Sequence, residues 1–354
     1  MSYIIIILTQ FIIYYLIHIK SELFNFYDYV GIQKSHEGFV PRIGGLIIMI
    51  YSYVFVFFNK VDSYLLDWPV VVGSILIILI GTKEDLFGNV RPLYRFLIIL
   101  ICSTIFIISL EKFPTISIPI FEEFLSIRII EVAFYVIAIS ALTNGINIID
   151  GANGLAGLSL VAMFFGLIIL GSIYKDYKII VMCLFIIIPI CIFLIFNFPL
   201  GKIFLGDAGA YWLGWILGVF IIKFFAEHPE ISTWCAVIIV SYPIMEVIFS
   251  FIRKFLDNRS PFDADHKHIH IKLFFSINSN NENKHFISSL VTICLMPLWF
   301  VPISLLAWID KFSYLVLLCI SMQLILYFLY FFILPTPDRK VLASLIPKFS
   351  KNLK

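Results

Sequence analysis

Asn144, Asn147, Asp150 and Asn153 recur at intervals of three between two long apolar runs. On a helix that spacing keeps side chains along one face. Gly145, Gly151 and Gly154 lie among them, so a ligand or a second backbone can come close. Two acidic islands share this setting. Lys83-Glu84-Asp85-Leu86-Phe87-Gly88 follows one apolar run, and Phe204-Leu205-Gly206-Asp207-Ala208-Gly209 precedes another. Ionisable groups in such surroundings are costly and mark ligand or ion sites. Their carboxylates are hard oxygen donors, suited to a divalent ion or to activating a nucleophile. Structural readings stand beside these. The asparagines could glue helices together, Glu84-Asp85 could be loop carboxylates paired with Arg91, and Asp207 could cap the helix beginning near Gly209.

Two more features belong with them. Asp265-His266-Lys267-His268-Ile269-His270 lies in a basic loop over residues 253–285. It lacks the spacing of a zinc site; imidazoles and bases better suit an anion such as a diphosphate. Glu246 sits inside an apolar run three residues after Pro243, either as a functional carboxylate or as a partner of Arg253 or Lys254. Asn197, Pro199 and Lys202 precede Asp207 in a short loop.

The elements that must hold these groups are membrane helices. Hydrophobic residues make up 61% of the 354 and charged residues 14%, against about 25% charged in a soluble domain; mean hydropathy is +1.01. A spanning helix takes roughly 20 apolar residues. The chain reads as an all-α polytopic membrane protein with about eleven spans, near 2–19, 43–58, 69–82, 94–110, 129–144, 155–172, 178–196, 209–226, 232–252, 286–307 and 313–334. With the N-terminus outside and the C-terminus cytoplasmic, eighteen of the 25 Lys and Arg residues fall in inner loops, as the positive-inside bias requires. That orientation puts the three islands and the His loop on one face, the cytoplasmic one. Residues 1–334 form a single transmembrane catalytic domain with its site on that face, and 335–354 a basic cytoplasmic tail. The six cysteines all lie within spans without metal-ligand spacing and read as small buried hydrophobes.

Islands contributed by separate spans to one face imply one composite site. Carboxylates suit Mg²⁺, bases and imidazoles suit phosphates, and amides suit a nucleobase or sugar. That is equipment for phosphoryl transfer, where positioning and charge neutralisation carry the catalysis. A transporter or flippase would gather such groups near the midplane of repeated halves, and no repeat is visible here.

The order and spacing of several segments match a known family. They are Lys34-Ser35-His36 with Pro41-Arg42-Ile43-Gly44-Gly45-Leu46, Glu84–Gly88, Asn144–Leu155, Asn197-Phe198-Pro199 with Phe204–Gly209, and Ser260-Pro261-Phe262 with Asp265–His270. On these the chain resembles the polyprenyl-phosphate N-acetylhexosamine-1-phosphate transferases, glycosyltransferase family 4, and within them the undecaprenyl-phosphate GlcNAc-1-phosphate transferase branch. The resemblance implies transfer of an amino-sugar 1-phosphate from a UDP-sugar to undecaprenyl phosphate. UMP is released, Mg²⁺ (or Mn²⁺ in its place) is required, and a lipid-linked cell-surface glycan such as lipopolysaccharide O-antigen or a cell-wall polymer is started.

It further implies catalytic roles for Glu84, Asp85, Asp207, His268 and His270. Substrate contacts fall to Arg42, Arg95, Asn144, Asn147, Asp150, Asn153 and Asn197, and metal binding to Asp207 and Asp150. The expected setting is the bacterial cytoplasmic (inner) membrane, with the bilayer and both substrates as partners, a homodimer as the candidate oligomer, and no nucleic acid. Four positions depart from the family pattern: Glu84 and Glu246 where Asp is usual, Asn153 in place of the second Asp of Asp-Gly-x-Asp-Gly, and Ile271 where a histidine is usual. The alternatives are the UDP-MurNAc-pentapeptide substrate, a transporter or flippase, or an inactive scaffold of the same fold.

Overall fold

In lipid a chain must satisfy its backbone internally, which an α-helix does within one segment. The computed structural model describes residues 3–20, 40–116, 119–261, 263, 265, 267–277 and 283–335, and among them there are helices and no strand. Lys34-Ser35-His36, Phe262, His266 and the tail from 336 onward lie outside the described residues.

The helices are α1 (Tyr3–Ile19), α2 (Gly44–Asn59), α3 (Trp68–Phe87), α4 (Pro92–Ile108), α5 (Pro119–Leu125), α6 (Arg128–Ile149) and α7 (Leu155–Tyr174). They continue with α8 (Tyr177–Asn197), α9 (Gly206–Glu227), α10 (Trp234–Leu256), α11 (Ile269–Ile277), α12 (Lys284–Leu295), α13 (Pro297–Ile309) and α14 (Ser313–Ile333). Every apolar run read from the sequence coincides with a helix. Seven stretches are long and apolar enough to cross a membrane: α6, α7, α8, α9, α10, α12 with α13, and α14. α1, α2 and α4 are apolar but only 17, 16 and 17 residues long, and the 20 residues of α3 include Lys83, Glu84 and Asp85. The eleven expected spans are therefore eleven helical stretches, seven of which meet that test. The tenth is divided between Leu295 and Pro297, because proline supplies no N–H and crowds the preceding turn. The loop expected over 253–285 contains the short α11.

Local signals set the ends. α3 starts with Pro69 in its first turn and stops at Gly88, whose φ is +59° and whose N–H returns to the Glu84 carbonyl at 2.8 Å. Asp176 caps α8 by accepting from the Ile179 N–H at 3.1 Å, and the Asn283 side chain caps α12.

α9 is the centre of the bundle. Almost all of its side chains are buried, and α2, α3, α4, α6 and α7 pack around it. Small residues permit the closest approaches: a Cβ added to Gly45 would collide with the backbone of Gly209. Its two indoles are pinned by hydroxyls, Trp212 Nε1 donating to Ser74 Oγ at 2.9 Å and Trp215 Nε1 to Ser103 Oγ at 3.2 Å. Interhelical hydrogen bonds in membranes average only about 0.6 kcal/mol. Close packing therefore holds α9 in place, and the hydroxyls fix its rotation.

The bundle has two polar ends. At the end where α3 begins and α9 finishes, Tyr64 Oη donates to Glu227 at 2.6 Å, Lys223 pairs with Asp67, and Lys178 meets Asp62 at 2.7 Å. His228 there bridges Asp176 at 3.2 Å and Glu230 at 3.0 Å. The opposite end holds the acidic islands.

Candidate active site

α9 begins at Gly206, whose φ of +79° is a glycine conformation. Its first N–H groups have no partner within the helix. Asp85, near the end of α3, supplies it: Oδ1 accepts from Asp207 N at 2.9 Å and Oδ2 from Ala208 N at 3.0 Å. Asp207 is thus not the cap of its helix, as its place in the sequence allowed; the cap comes from another helix. A carboxylate on those N–H groups also lies at the positive end of the α9 dipole.

With capping done by Asp85, the Asp207 carboxylate lies between two guanidinium groups. Arg42 Nη2 meets its Oδ1 at 3.1 Å, and Arg95 Nη1 bonds its Oδ2. Arg42 also reaches Asp85 at 3.3 Å, and Arg95 reaches Glu84 at 3.6 Å. The partners of the Glu84-Asp85 pair are therefore Arg95 and Arg42, and not Arg91. Glu84 additionally accepts from Val90 N at 2.8 Å, which shapes the turn after α3. Burial works against the charge on Arg42, but Asp85, Asp207, Asp150 and Glu84 together outweigh it and raise its pKa. Desolvation lifts the Asp150 carboxyl well above the usual carboxylate range; Arg42 opposes this and Asp207 and Asp85 reinforce it. A carboxyl in that setting gains most from a cation placed beside it.

Asn144, Asn147 and Asp150 emerge half-buried along the last turns of α6, on one face as their spacing predicts. Asn153 and Asn197 behave differently: both are buried. The Asn153 amide donates to the Pro199 carbonyl at 3.1 Å and the His285 carbonyl at 3.3 Å. Its backbone N donates to Ser288 Oγ at 2.9 Å, and its carbonyl accepts from Thr292 Oγ1 at 2.8 Å. Asn197 accepts from Gly154 N at 2.7 Å and donates to the Ile203 carbonyl at 2.9 Å. These two amides join the loop after α6 to the loop before α9 and to α12. Lys284, Ser288 and Thr292 recur at the helical interval of four, but the sequence alone does not say that this face meets Asn153.

The imidazole loop closes over the same end. His268 Nδ1 meets Glu246 Oε2 at 2.7 Å, and Ile269 N donates to Glu246 Oε1 at 3.1 Å. Glu246 is thus engaged with the loop and not with Arg253 or Lys254. Arg253 bonds Asp265 at 2.5 Å, and Lys254 donates to the Pro261 carbonyl at 2.8 Å. Burial of Asp265 opposes its charge, yet His268 and Arg253 hold its carboxyl far below the usual range. His270 stacks on His268 with ring centroids 5.8 Å apart. Its Nε2 lies so near Gly151 that a Cβ there would collide with it. Burial lowers the His270 pKa to about 4, with Glu246 opposing and His268 adding to the effect; at neutral pH it is an uncharged donor and acceptor.

No group of three or more His, Cys, Asp or Glu side chains among the described residues could hold a metal ion by itself. Mg²⁺ does not need one, since it takes one or two carboxylates and completes its shell with water and substrate phosphates. Asp207, which meets Arg42 at 3.1 Å, and Asp150, whose charge helps raise the Arg42 pKa, would supply such a partial set.

The described residues form a helical bundle with seven stretches long and apolar enough to span a membrane, one end of which gathers carboxylates, guanidinium groups, amides and imidazoles. Residues 68–225 match the family described as Glycosyl transferase family 4. A probable undecaprenyl-phosphate N-acetylglucosaminyl 1-phosphate transferase from Bacillus subtilis is 28% identical over 244 residues, 68% of this chain and 67% of the relative. An undecaprenyl-phosphate alpha-N-acetylglucosaminyl 1-phosphate transferase from Thermotoga maritima is 29% identical over 247 residues, 70% and 72% of the two chains. The Escherichia coli K12 protein of the same description is 24% identical over 259 residues, 69% and 67%.

Proposed function

We propose that this protein transfers an N-acetylhexosamine 1-phosphate from a UDP-linked amino sugar to undecaprenyl phosphate at the cytoplasmic face of a bacterial inner membrane, releasing UMP and starting a lipid-linked glycan. The observation that carries this reading is Asp207, freed from capping by Asp85 and held between Arg42 and Arg95. The substrate classes follow from the relatives' descriptions, and the sidedness from the basic residues of the loops. Asp207 and Asp150 would hold Mg²⁺, whose chemistry there is neutralisation of diphosphate charge. Arg42 and Arg95 bind the phosphates, and their guanidinium planes suit phosphate oxygens. Asn144 and Asn147 face the nucleotide sugar. Glu84 orients Arg95, and Asp85 positions both Arg42 and the start of α9. Neutral His270 and the Glu246-bound His268 cover the phosphates from the other side.

The test is UMP release by purified protein given UDP-N-acetylglucosamine, undecaprenyl phosphate and varied Mg²⁺. Asp207→Asn preserves size and removes charge. Turnover is expected to fall by orders of magnitude while the protein extracts and melts normally. Wild-type turnover with unchanged Mg²⁺ dependence would remove Asp207 from the reaction, and no UMP release by the wild type would favour a transporter or scaffold.

A further inference from the structure

We propose that Glu246 is a positioning residue for His268, setting which edge of the imidazole meets substrate; this rests on the reaction proposed above. Glu246 is fully buried on α10 and bonds neither Arg253 nor Lys254, the partners its place in the sequence suggests. Both its oxygens are committed to the imidazole loop. Oε1 accepts the Ile269 N–H at 3.1 Å and so anchors the start of α11, while Oε2 lies 2.7 Å from His268 Nδ1. An ionised carboxylate only accepts hydrogen bonds. Nδ1 therefore carries a proton, and Nε2 is the nitrogen left for the substrate side. A carboxylate that fixes a histidine tautomer through its far nitrogen is a general means of orienting an imidazole. The surroundings restrict the ring further: His270 is stacked almost parallel to it at 8°, Asp265 nearby is held by Arg253 at 2.5 Å, and the His268 side chain is buried.

Glu246→Gln separates positioning from folding. The amide keeps the volume and can keep an oxygen on the Ile269 N–H, but it then turns its NH₂ toward Nδ1. The ring can meet that donor only as the Nε2–H tautomer, with its substrate edge inverted. The expected result is a loss of about 10²-fold in kcat, the lower range for a misdirected acid–base group, with KM little changed. Glu246→Asp, which keeps the charge, restores part of the loss. In a His268→Ala background the Gln substitution has no further effect, whereas a merely structural carboxylate would add its own loss. ¹⁵N spectra of histidine-labelled protein supply a readout independent of activity: His268 is expected to be protonated at Nδ1 in the wild type and at Nε2 in Glu246→Gln.

Wild-type kcat in Glu246→Gln alongside a crippled His268→Ala would overturn this inference and leave the proposed reaction standing. Full turnover in His268→Ala would remove the imidazole role altogether. If Glu246→Gln does not fold, the wild-type spectrum still decides, because an unprotonated Nδ1 on His268 contradicts the assignment.

Discussion

Asn153→Asp restores the aspartate of the family pattern, and the geometry around it predicts harm. The Asn153 Nδ2 group donates to two carbonyls, those of Pro199 and His285, in a side chain that is 4% exposed. A carboxylate of the same shape turns an acceptor toward both. Each lost hydrogen bond is worth about 1 kcal/mol. The Ser289 hydroxyl, which reaches Pro199 O at 2.6 Å and His285 O at 3.0 Å, then remains as a side-chain donor to both. Bringing a carboxylate beside them, out of water, adds at least about 1 kcal/mol. The expected destabilisation is about 3 kcal/mol at pH 8. Protonating the new carboxyl restores one donor. The new acid has a folded-state pKa above its unfolded value of about 3.9, so the penalty grows as pH rises above that value and is smallest in acid. Equilibrium unfolding in bicelles at pH 5 and pH 8, with Asn153→Ala as the uncharged control, measures it. Wild-type stability of Asn153→Asp at pH 8 would refute the reasoning and return Asn153 to the substrate-binding role that its sequence position suggests.

At the opposite end, burial opposes the charge of His228, but Glu230 and Asp176 raise its pKa overall. A raised folded-state pKa means this bridge stabilises fully below about pH 6.5, the unfolded value, and is lost as pH rises through the folded value. Thermal melts across pH 6 to 9 should show that slope in the wild type and a flatter one in His228→Ala; equal slopes would rule the bridge out. Orientation is tested by single cysteines in a cysteine-free background. Ser172→Cys is expected to label from outside intact cells, and Asn89→Cys, beside Asp85, only after permeabilisation; the reverse pattern would invert the topology.

The apolar runs located the helices because length and hydropathy are local properties, and Asn144, Asn147 and Asp150 share a face because their spacing is helical. Other outcomes depend on which helices become neighbours. Asp207 sits where a cap belongs, yet the cap is Asp85, 122 residues earlier in the chain. Glu246 lies near Arg253 and Lys254 in sequence, but its oxygens face His268 and Ile269. Asn153 reads as a weakened aspartate until its donor is seen between two carbonyls. Spacing predicts which side chains share a surface of one helix; it carries no information on what another helix brings to that surface.

Because almost every side chain of α9 is buried inside the protein, it is shielded from acyl chains. Its 22 residues run about 33 Å at 1.5 Å per residue, with Asp207 at one end and the Lys223–Asp67 and Glu227–Tyr64 contacts at the other. A thicker or thinner bilayer is met by tilting of outer helices such as α14, in which only Val316, Cys319, Gln323 and Tyr327 are buried. The depth of Asp207 is therefore measured from the far side of the protein by a ruler that lipid does not touch, so the end that carries Asp207 keeps its position while the rim of the bundle adapts.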